Sequence, residues 1–230
     1  MIEHIEQGTL DPNIRACIAL TSWKKRINTV GLTIYNLFET CGPDYHIVLT
    51  LAEEEFPKKE QELPRDLVLM NKAGVFEILW VKKNYKSFKK WLFCSARFSK
   101  VPVITADDDC IYIRNYADEL YKMWHAHQDM IVTNSPGMKY GITWPNGPYT
   151  IYPPRCFGKV AIGLLDNKKI LNTNNDDAFY GCLAHKLHLN IIGLYKDPPI
   201  IFHDNVCGLG DGENAYDAKS DIATIKGELK

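Results

Sequence analysis

Residues 101–109 read Val-Pro-Val-Ile-Thr-Ala-Asp-Asp-Asp, an apolar run that ends in three consecutive carboxylates. A short run rich in branched aliphatic residues is typical of a buried β-strand. The preceding segment, residues 85–99, has apolar residues at helical spacing with basic residues between them. The stretch therefore predicts a helix, a strand, and a concentration of negative charge where that strand ends.

The segments before this stretch show the same alternation. Residues 15–21 and 45–51 are short apolar runs and predict strands, and residues 29–40 between them have the spacing of an amphipathic helix. Residues 56–66 are charged and contain proline, which predicts an irregular connection. A further apolar run at residues 75–81 predicts the next strand.

The segments after the Asp triplet continue the pattern and then change character. Residues 115–127 predict a helix, residues 130–133 a strand, and residues 174–189 a final helix. Residues 135–157 are rich in Pro, Gly and Tyr, which favours a binding surface over core. Residues 204–230 are rich in Gly and Asp and predict a tail that wraps or frays.

Strands that alternate with helices predict an α/β fold with a mostly parallel central sheet and helices on both faces. We expect one domain over residues 1–230, with a polar N-terminal extension at residues 1–13, because no linker or internal repeat supports a second domain. Ligands of such sheets bind beyond the carboxyl ends of the strands. Both Thr21-Ser22 and the Asp triplet are predicted to lie there.

Composition excludes several classes of protein. The chain has 230 residues, 46% hydrophobic and 24% charged, which is typical of a soluble globular domain. The net charge of -1 offers no excess of positive charge for nucleic acid. No apolar stretch approaches the ~20 residues of a membrane span, and the start is polar, so we expect a cytoplasmic protein with at most peripheral contact at the inner membrane face. The seven cysteines lack a C-x-x-C pair, which favours reduced thiols.

The Asp triplet is the strongest candidate site. In an extended segment Asp107 and Asp109 point to one side and Asp108 to the other, so two carboxylates can share one cation. Adjacent carboxylates repel one another, and a hard divalent cation would neutralise them. A solvated acidic turn is the alternative, and the position at the end of a buried strand favours the metal.

Other charged residues are candidates for roles beside the Asp triplet, if the triplet binds a metal. Lys89 and Lys90 belong to the helix before the strand, and we expect one to face a bound phosphate and the other solvent, since adjacent helix positions diverge by ~100°. Asp176-Asp177 reads either as the acidic first turn of a helix or as a source of a general base. His203 reads as a third metal ligand or, more commonly, as a structural histidine.

The chain resembles the GT-A class of nucleotide-sugar glycosyltransferases, and within it a bacterial group that acts on surface polysaccharides. The resemblance covers most of the chain and rests on the order of several short elements rather than on the D-x-D element alone. These elements are L-T-S-W-K-K-R-I at residues 20–27, E-F-P at 55–57, K-S-F-K-K at 86–90, I-T-A-D-D-D at 104–109, I-Y-P-P at 151–154, and Asp176-Asp177.

The resemblance implies a GT-A, Rossmann-like fold and a Mn²⁺ or Mg²⁺ ion that bridges the two phosphates of a nucleotide sugar, with a UDP-sugar as the expected donor. It implies that Asp109 ligates the metal and that Asp107 lies nearer the ribose while also serving the metal. The nucleotide pocket would be lined by Thr21, Ser22, Arg26, Asp107 and Asp108, with Lys89 or Lys90 near the phosphates. The acceptor would be a hydroxyl of a polysaccharide or glycolipid.

An inverting transfer needs a carboxylate that accepts the proton of the acceptor hydroxyl. We choose Asp177 for this role with Asp176 in reserve, and the sequence leaves inversion or retention open. Two other classes remain as alternatives. A metal-dependent phosphoryl-transfer enzyme would need a nucleophilic Asp after the first strand, and a non-catalytic carbohydrate-binding protein would use Trp144, Tyr149 and Tyr152 as stacking platforms.

Overall fold

The computed structural model describes residues 5–158, 160–195, 200–202 and 217–230. Its strands are β1 (Ala16–Thr21), β2 (Tyr45–Ala52), β3 (Glu77–Val81), β4 (Val103–Thr105), β5 (Cys110–Tyr112), β6 (Ile131–Thr133), β7 (Gly137–Lys139), β8 (Ile142–Trp144), β9 (Thr150–Tyr152), β10 (Ile191–Gly193) and β11 (Ile200–Phe202). Its helices are α1 (Val30–Cys41), α2 (Arg65–Lys72), α3 (Lys89–Arg97), α4 (Tyr116–Ala126), α5 (Val160–Leu164), α6 (Lys168–Asn172), α7 (Asp176–Lys186) and α8 (Ala218–Glu228).

A seven-stranded sheet in the order β10-β6-β9-β4-β1-β2-β3 forms the centre of the molecule. Its neighbouring strands pair in parallel except at β9, which is antiparallel to both β4 and β6. Two small antiparallel pairs, β5 with β11 and β7 with β8, lie outside this sheet. The predicted α/β class with a mostly parallel sheet is confirmed.

The two faces of the sheet bury two separate hydrophobic cores. Along β1, Ala16, Ile18 and Leu20 belong to one core, and Cys17 and Ala19 to the other, as the two-residue period of a strand requires. Helices α1, α2 and α4 contribute buried residues to the first core, and α3, α7 and α8 to the second. Helices therefore cover both faces, as predicted.

The direction of β9 determines what meets at one edge of the sheet. The carboxyl ends of the parallel strands β1 and β4 lie at the same edge, and the antiparallel β9 brings its amino end there. Residues after β1, residues after β4, and the loop before β9 therefore come together. This is the edge at which the sequence predicts the ligand.

Two connections differ from the prediction. The charged connection after β2 leads into α2, which the sequence pattern did not indicate because Leu67 is its one fully buried residue. The segment at residues 135–157 is not mainly binding surface, because it contains the central strand β9. Tyr149 and Tyr152 are 2% exposed and Phe157 is 1% exposed, so these three aromatic residues belong to the core.

The chain end also differs from the predicted tail. Residues 218–228 form α8, and its Ile222 and Ile225 are buried against the core. Asp217 begins this helix by accepting a hydrogen bond from the backbone N–H of Ser220. Helix α8 packs mainly on α6 and α7.

The six cysteines in the described ranges form no disulfide, and no described helix is both long and apolar enough to cross a bilayer.

Candidate functional site

Asp108, the middle residue of the Asp triplet, is held by its own chain. Its carboxylate accepts a hydrogen bond from Ser22 Oγ at 2.6 Å and one from Arg26 Nη1 at 2.7 Å. Thr33 Oγ1 donates to the backbone oxygen of Asp108 at 3.0 Å. All four residues are buried. These contacts tie the end of β1 and the start of α1 to the loop after β4.

Asp107 and Asp109 lie side by side at the sheet edge. One oxygen of Asp107 is 2.6 Å from Lys90 Nζ, and one oxygen of Asp109 is 3.0 Å from Arg26 Nη1. Candidate ligand atoms of Asp107, Asp109 and Cys110 all lie within 4.8 Å of one another. The structure thus brings together the two carboxylates that strand alternation predicts to share one cation.

Lys90 is a buried cation between two groups of carboxylates. Its Nζ lies 2.6 Å from Asp107 and 3.6 Å from Asp176, and the residue is 5% exposed. Burial alone would lower the pKa of Lys90, but Asp107, Asp176 and Asp177 outweigh it and hold that pKa well above its ordinary value. Lys90 therefore remains a full positive charge inside the site.

Lys89 does not face solvent, which corrects the expected division between the two lysines. It is 2% exposed, and its Nζ donates to Asn84 Oδ1 at 3.3 Å and to the backbone oxygen of Lys86 at 3.1 Å. Burial lowers the pKa of Lys89 to about 8, although Glu55 at 3.8 Å works in the opposite direction. Of the two lysines, Lys90 is the one that contacts the Asp triplet.

The start of α7 places two carboxylates next to this group. The helix cap is Asn175, whose Oδ1 accepts the backbone N–H of Ala178 at 3.0 Å. Neither Asp176 nor Asp177 is therefore needed as the cap. Asp176 is buried, with 8% of its surface exposed. Asp177 accepts the backbone N–H of Gly147 at 3.1 Å.

The site raises the pKa of several carboxyl groups. Burial, and then the charges of Asp176 and Asp107, raise the pKa of Asp177 to about 8. Burial is also the first cause of the raised pKa of Asp108 and of Asp109, and neighbouring carboxylates add to it. A carboxyl group with a raised pKa holds a proton more strongly, which is the property that a general base needs.

The charges around the sheet edge are unequal. Among the residues that the structure describes, five carboxylates gather there, and the cations in direct contact with them are Arg26 and Lys90. The carboxylates are Asp107, Asp108, Asp109, Asp176 and Asp177. An excess of oxygen ligands with negative charge suits a hard divalent cation such as Mn²⁺ or Mg²⁺. A hard cation prefers carboxylate oxygen to thiol sulfur, so Asp107 and Asp109, rather than Cys110, are the residues that fit the ion.

Two further predicted residues have different outcomes. Thr21 lies at this edge, where its hydroxyl donates to the backbone oxygen of Thr50 at 2.7 Å. His203, expected as a third metal ligand, lies outside the described residues. Thr21 ends β1, and Ser22 and Arg26 follow it in the chain, so all three residues lie near the same end of that strand.

The sequence analysis missed two tyrosines whose hydroxyl groups form hydrogen bonds with the backbone at the end of β4. Tyr112 Oη accepts the backbone N–H of Asp107 at 2.7 Å, and Tyr116 Oη donates to the backbone oxygen of Thr105 at 2.7 Å. Both tyrosines are 1% exposed. The signal available in the sequence was their position within ten residues after the triplet. Tyr116 falls in the helix predicted at residues 115–127, and Tyr112 falls in no predicted element.

Because Lys90 carries the charge that pairs with the carboxylates, replacing Lys90 and replacing Lys89 should have unequal effects on stability. We expect Lys90→Met to lower the free energy of unfolding by about 3 kcal/mol, because it leaves buried carboxylates uncompensated. Lys89→Met, the matched control, should cost less at pH 8, since the pKa of Lys89 is already about 8. Urea titrations of both variants measure the difference. Mn²⁺ should restore part of the stability of Lys90→Met only. Equal losses of stability in the two variants, with no recovery in Mn²⁺, would contradict the role of Lys90 as the charge that compensates the carboxylates.

Solved structures of similar fold are known. Crystal structures of S. aureus TarS residues 1–349 superpose on this chain with a TM-score of 0.55 at 11% identity for the complex with UDP-GlcNAc. A second TarS 1–349 structure has a TM-score of 0.51 at 12% identity. The alignments cover 92% and 81% of this chain, but 66% and 60% of the TarS chains, so this chain spans about two thirds of their length or less.

This likeness confirms the predicted fold class, an α/β domain with a mostly parallel central sheet. At 11% identity it describes the fold alone. No protein-family model matches the sequence, and no curated relative matches it.

Proposed function

We propose that this protein is a metal-dependent glycosyltransferase that uses a nucleoside-diphosphate sugar. The observation that carries the proposal is the cluster at the sheet edge, where Asp107 and Asp109 can share a divalent cation and Asp177 lies beside them. The fold adds support, because TarS, which has the same fold, binds UDP-GlcNAc in its crystal structure. The motifs shared with the GT-A class add further support.

On the donor side, Asp107 and Asp109 would hold Mn²⁺ or Mg²⁺. That ion would supply positive charge to the diphosphate as it leaves. Lys90 adds a permanent positive charge beside Asp107, because its pKa stays high. Thr21 and Ser22, with Arg26, would line the pocket for the nucleoside, and a UDP-sugar is the proposed donor.

On the acceptor side, Asp177 would act as the general base, with Asp176 as the alternative. The acceptor oxygen attacks the anomeric carbon, the bond from that carbon to the phosphate oxygen breaks, and the nucleoside diphosphate leaves with the electron pair. The acceptor proton passes to an oxygen of the ionised Asp177 carboxylate. A hydroxyl of a polysaccharide or glycolipid at the cytoplasmic face of the membrane is the proposed acceptor.

The structure favours neither alternative class. Strand β1 is followed by Ser22 and Trp23, so a phosphatase-type aspartate nucleophile is lacking there. Tyr149 and Tyr152 are each 2% exposed and cannot stack on a sugar as a carbohydrate-binding surface requires. Trp144 is half-buried and packs against Gly181 of α7.

The test is hydrolysis of nucleotide sugars without an acceptor. The purified protein is incubated with UDP-GlcNAc, UDP-glucose, UDP-galactose or GDP-mannose, in Mn²⁺ or in EDTA, and the products are separated by chromatography. We expect slow, Mn²⁺-dependent release of nucleoside diphosphate from at least one donor. Release of inorganic phosphate would indicate phosphoryl transfer, and no binding or turnover of any donor would reject the proposal.

A further inference from the structure

Gly147 lies in the loop before β9, between the carboxylates assigned to the two sides of the reaction. Its backbone N–H donates to Asp177 Oδ2 at 3.1 Å, and its carbonyl oxygen accepts Thr105 Oγ1 at 2.7 Å. The carbonyl of the preceding Asn146 accepts Thr150 Oγ1 at 2.8 Å. The position of Gly147 relative to β4 and α7 is thus held by hydrogen bonds on both sides.

For most glycines in the described ranges, the conformation or packing of the chain itself explains why the residue has no side chain. One group has a positive φ, which other residues rarely adopt; these are Gly42, Gly74, Gly141 and Gly158. A second group is packed so closely that an added Cβ would lie less than 3.0 Å from a neighbouring atom; these are Gly8, Gly137, Gly181 and Gly193. In the first group the backbone conformation would strain a residue with a side chain, and in the second group the side chain would meet neighbouring atoms.

Gly147 belongs to neither group. Its φ is outside the left-handed region, and the three atoms nearest to an added Cβ are carboxylate oxygens at ordinary contact distances. They are Asp107 Oδ2 at 3.4 Å and the two oxygens of Asp177 at 3.6 and 3.9 Å. The residue is half-buried. The chain would therefore accept a side chain here, and that side chain would occupy the space between Asp107 and Asp177.

We propose that Gly147 is a substrate-contacting residue whose missing side chain leaves room for the sugar ring of the donor. This inference rests on the proposed function, which places the diphosphate at Asp107 and the acceptor hydroxyl at Asp177. In an inverting transfer the anomeric carbon has to lie between those two groups, because the bond to phosphate breaks on one side as the bond to the acceptor forms on the other. Gly147 borders that space.

The test compares Gly147→Ala and Gly147→Val with Gly227→Ala. Gly227 is exposed near the end of α8, has no atom within 4 Å of an added Cβ, and also has an ordinary φ, so it is a matched control. Calorimetry measures affinity for UDP with Mn²⁺. Donor affinity and hydrolysis are measured with the nucleotide sugar that the parent protein hydrolyses fastest among UDP-GlcNAc, UDP-glucose, UDP-galactose and GDP-mannose.

We expect Gly147→Ala to fold with an unchanged Tm and to bind UDP within about twofold of the parent. Its donor hydrolysis should fall by about tenfold or more, since one added methyl group in a fitted pocket has effects of that size. Gly147→Val should fall further, and Gly227→Ala should match the parent. This separates a steric block at the sugar from damage to nucleotide binding.

Other results overturn the inference in distinguishable ways. If the parent neither binds nor hydrolyses any of the donors, the proposed function itself fails. If the parent is active and Gly147→Ala hydrolyses the donor equally well, the function stands and the role of Gly147 fails. A drop in transfer to a glycan with unchanged donor affinity and hydrolysis would assign the space to the acceptor. A loss of Tm in Gly147→Ala would make the glycine a requirement of the fold.

Discussion

An Asp109→Asn protein is expected to lose Mn²⁺-dependent UDP binding by at least about 100-fold, while its fold persists. The amide keeps the shape of the side chain but removes the anionic oxygen that a hard cation prefers. In the structure Asp109 and Asp107 lie together at the edge, and the ligand atoms there are within 4.8 Å of one another. Loss of one of two carboxylates should therefore prevent the ion from bridging protein and diphosphate.

The fold of Asp109→Asn should not be weakened when metal is absent. Burial and the neighbouring Asp107 and Asp108 raise the pKa of Asp109, so removing its charge relieves repulsion. The Tm of the variant in EDTA should equal or exceed that of the parent. Mn²⁺ should raise the Tm of the parent with UDP present and have little effect on the variant, because a ligand stabilises only the state that binds it.

Asp129→Asn provides the matched control for this experiment. Asp129 is exposed and lies just before β6, at the amino ends of the parallel strands and thus opposite the candidate site. Calorimetry of UDP with and without Mn²⁺ should give parent-like affinity in Asp129→Asn. Parent-like, metal-dependent affinity in a folded Asp109→Asn protein would reject the assignment of Asp109 to the metal.

The alternation of strands and helices was readable from the sequence because apolar periodicity reports burial. Apolar periodicity indicates little about an element that buries few residues, or about one whose residue types suit both a core and a binding surface. Helix α2 has Leu67 as its one fully buried residue, so its pattern resembles a polar connection. Strand β9 lies among prolines and tyrosines, and aromatic residues suit a core as well as they suit a binding surface.

In the candidate site, too, some features were predictable from the sequence and others were not. Two-residue alternation predicted that Asp107 and Asp109 would lie together, and their candidate ligand atoms are within 4.8 Å of one another. It also predicted that Asp108 would point to the opposite side, but Asp108 and Asp109 contact the same nitrogen of Arg26, because residues 108 and 109 form a turn rather than an extended segment. The partner of each charge was not predictable, because it depends on side chains far apart in the chain. The pairing of Lys90 with Asp107 and Asp176 arises only once α3, β4 and α7 are packed.

Asp177 is the residue proposed to take the acceptor proton. We expect Asp177→Asn to lower kcat by roughly 10²–10⁴-fold, the usual contribution of general acid–base catalysis. Affinity for UDP with Mn²⁺ should change little, since Asp177 is placed on the acceptor side. Transfer to an acceptor is the decisive assay once an acceptor is known, and hydrolysis of the donor by water serves first.

The structure makes it possible to tell a lost base from a damaged fold. In Asp177→Asn the N–H of Gly147 can donate to the new side-chain amide oxygen as it does to the carboxylate of the parent. The pKa of Asp177 is raised to about 8, so the native state keeps a proton that the unfolded chain releases above its ordinary value of 3.8. Stability from this group is therefore lost as the pH rises towards 8. The variant lacks that loss and should melt at a temperature at or above that of the parent at pH 8.

Asp176→Asn is the comparison that decides between the two adjacent carboxylates. Asp176 lies 3.6 Å from Lys90 and is buried, so its loss should reduce stability through that pair while kcat falls much less than in Asp177→Asn. If Asp176→Asn loses hydrolysis and Asp177→Asn keeps it, the two roles are exchanged. If both variants keep parent-like hydrolysis and transfer, neither residue is the base, and the acidic start of α7 acts only to hold Lys90 and the loop at Gly147.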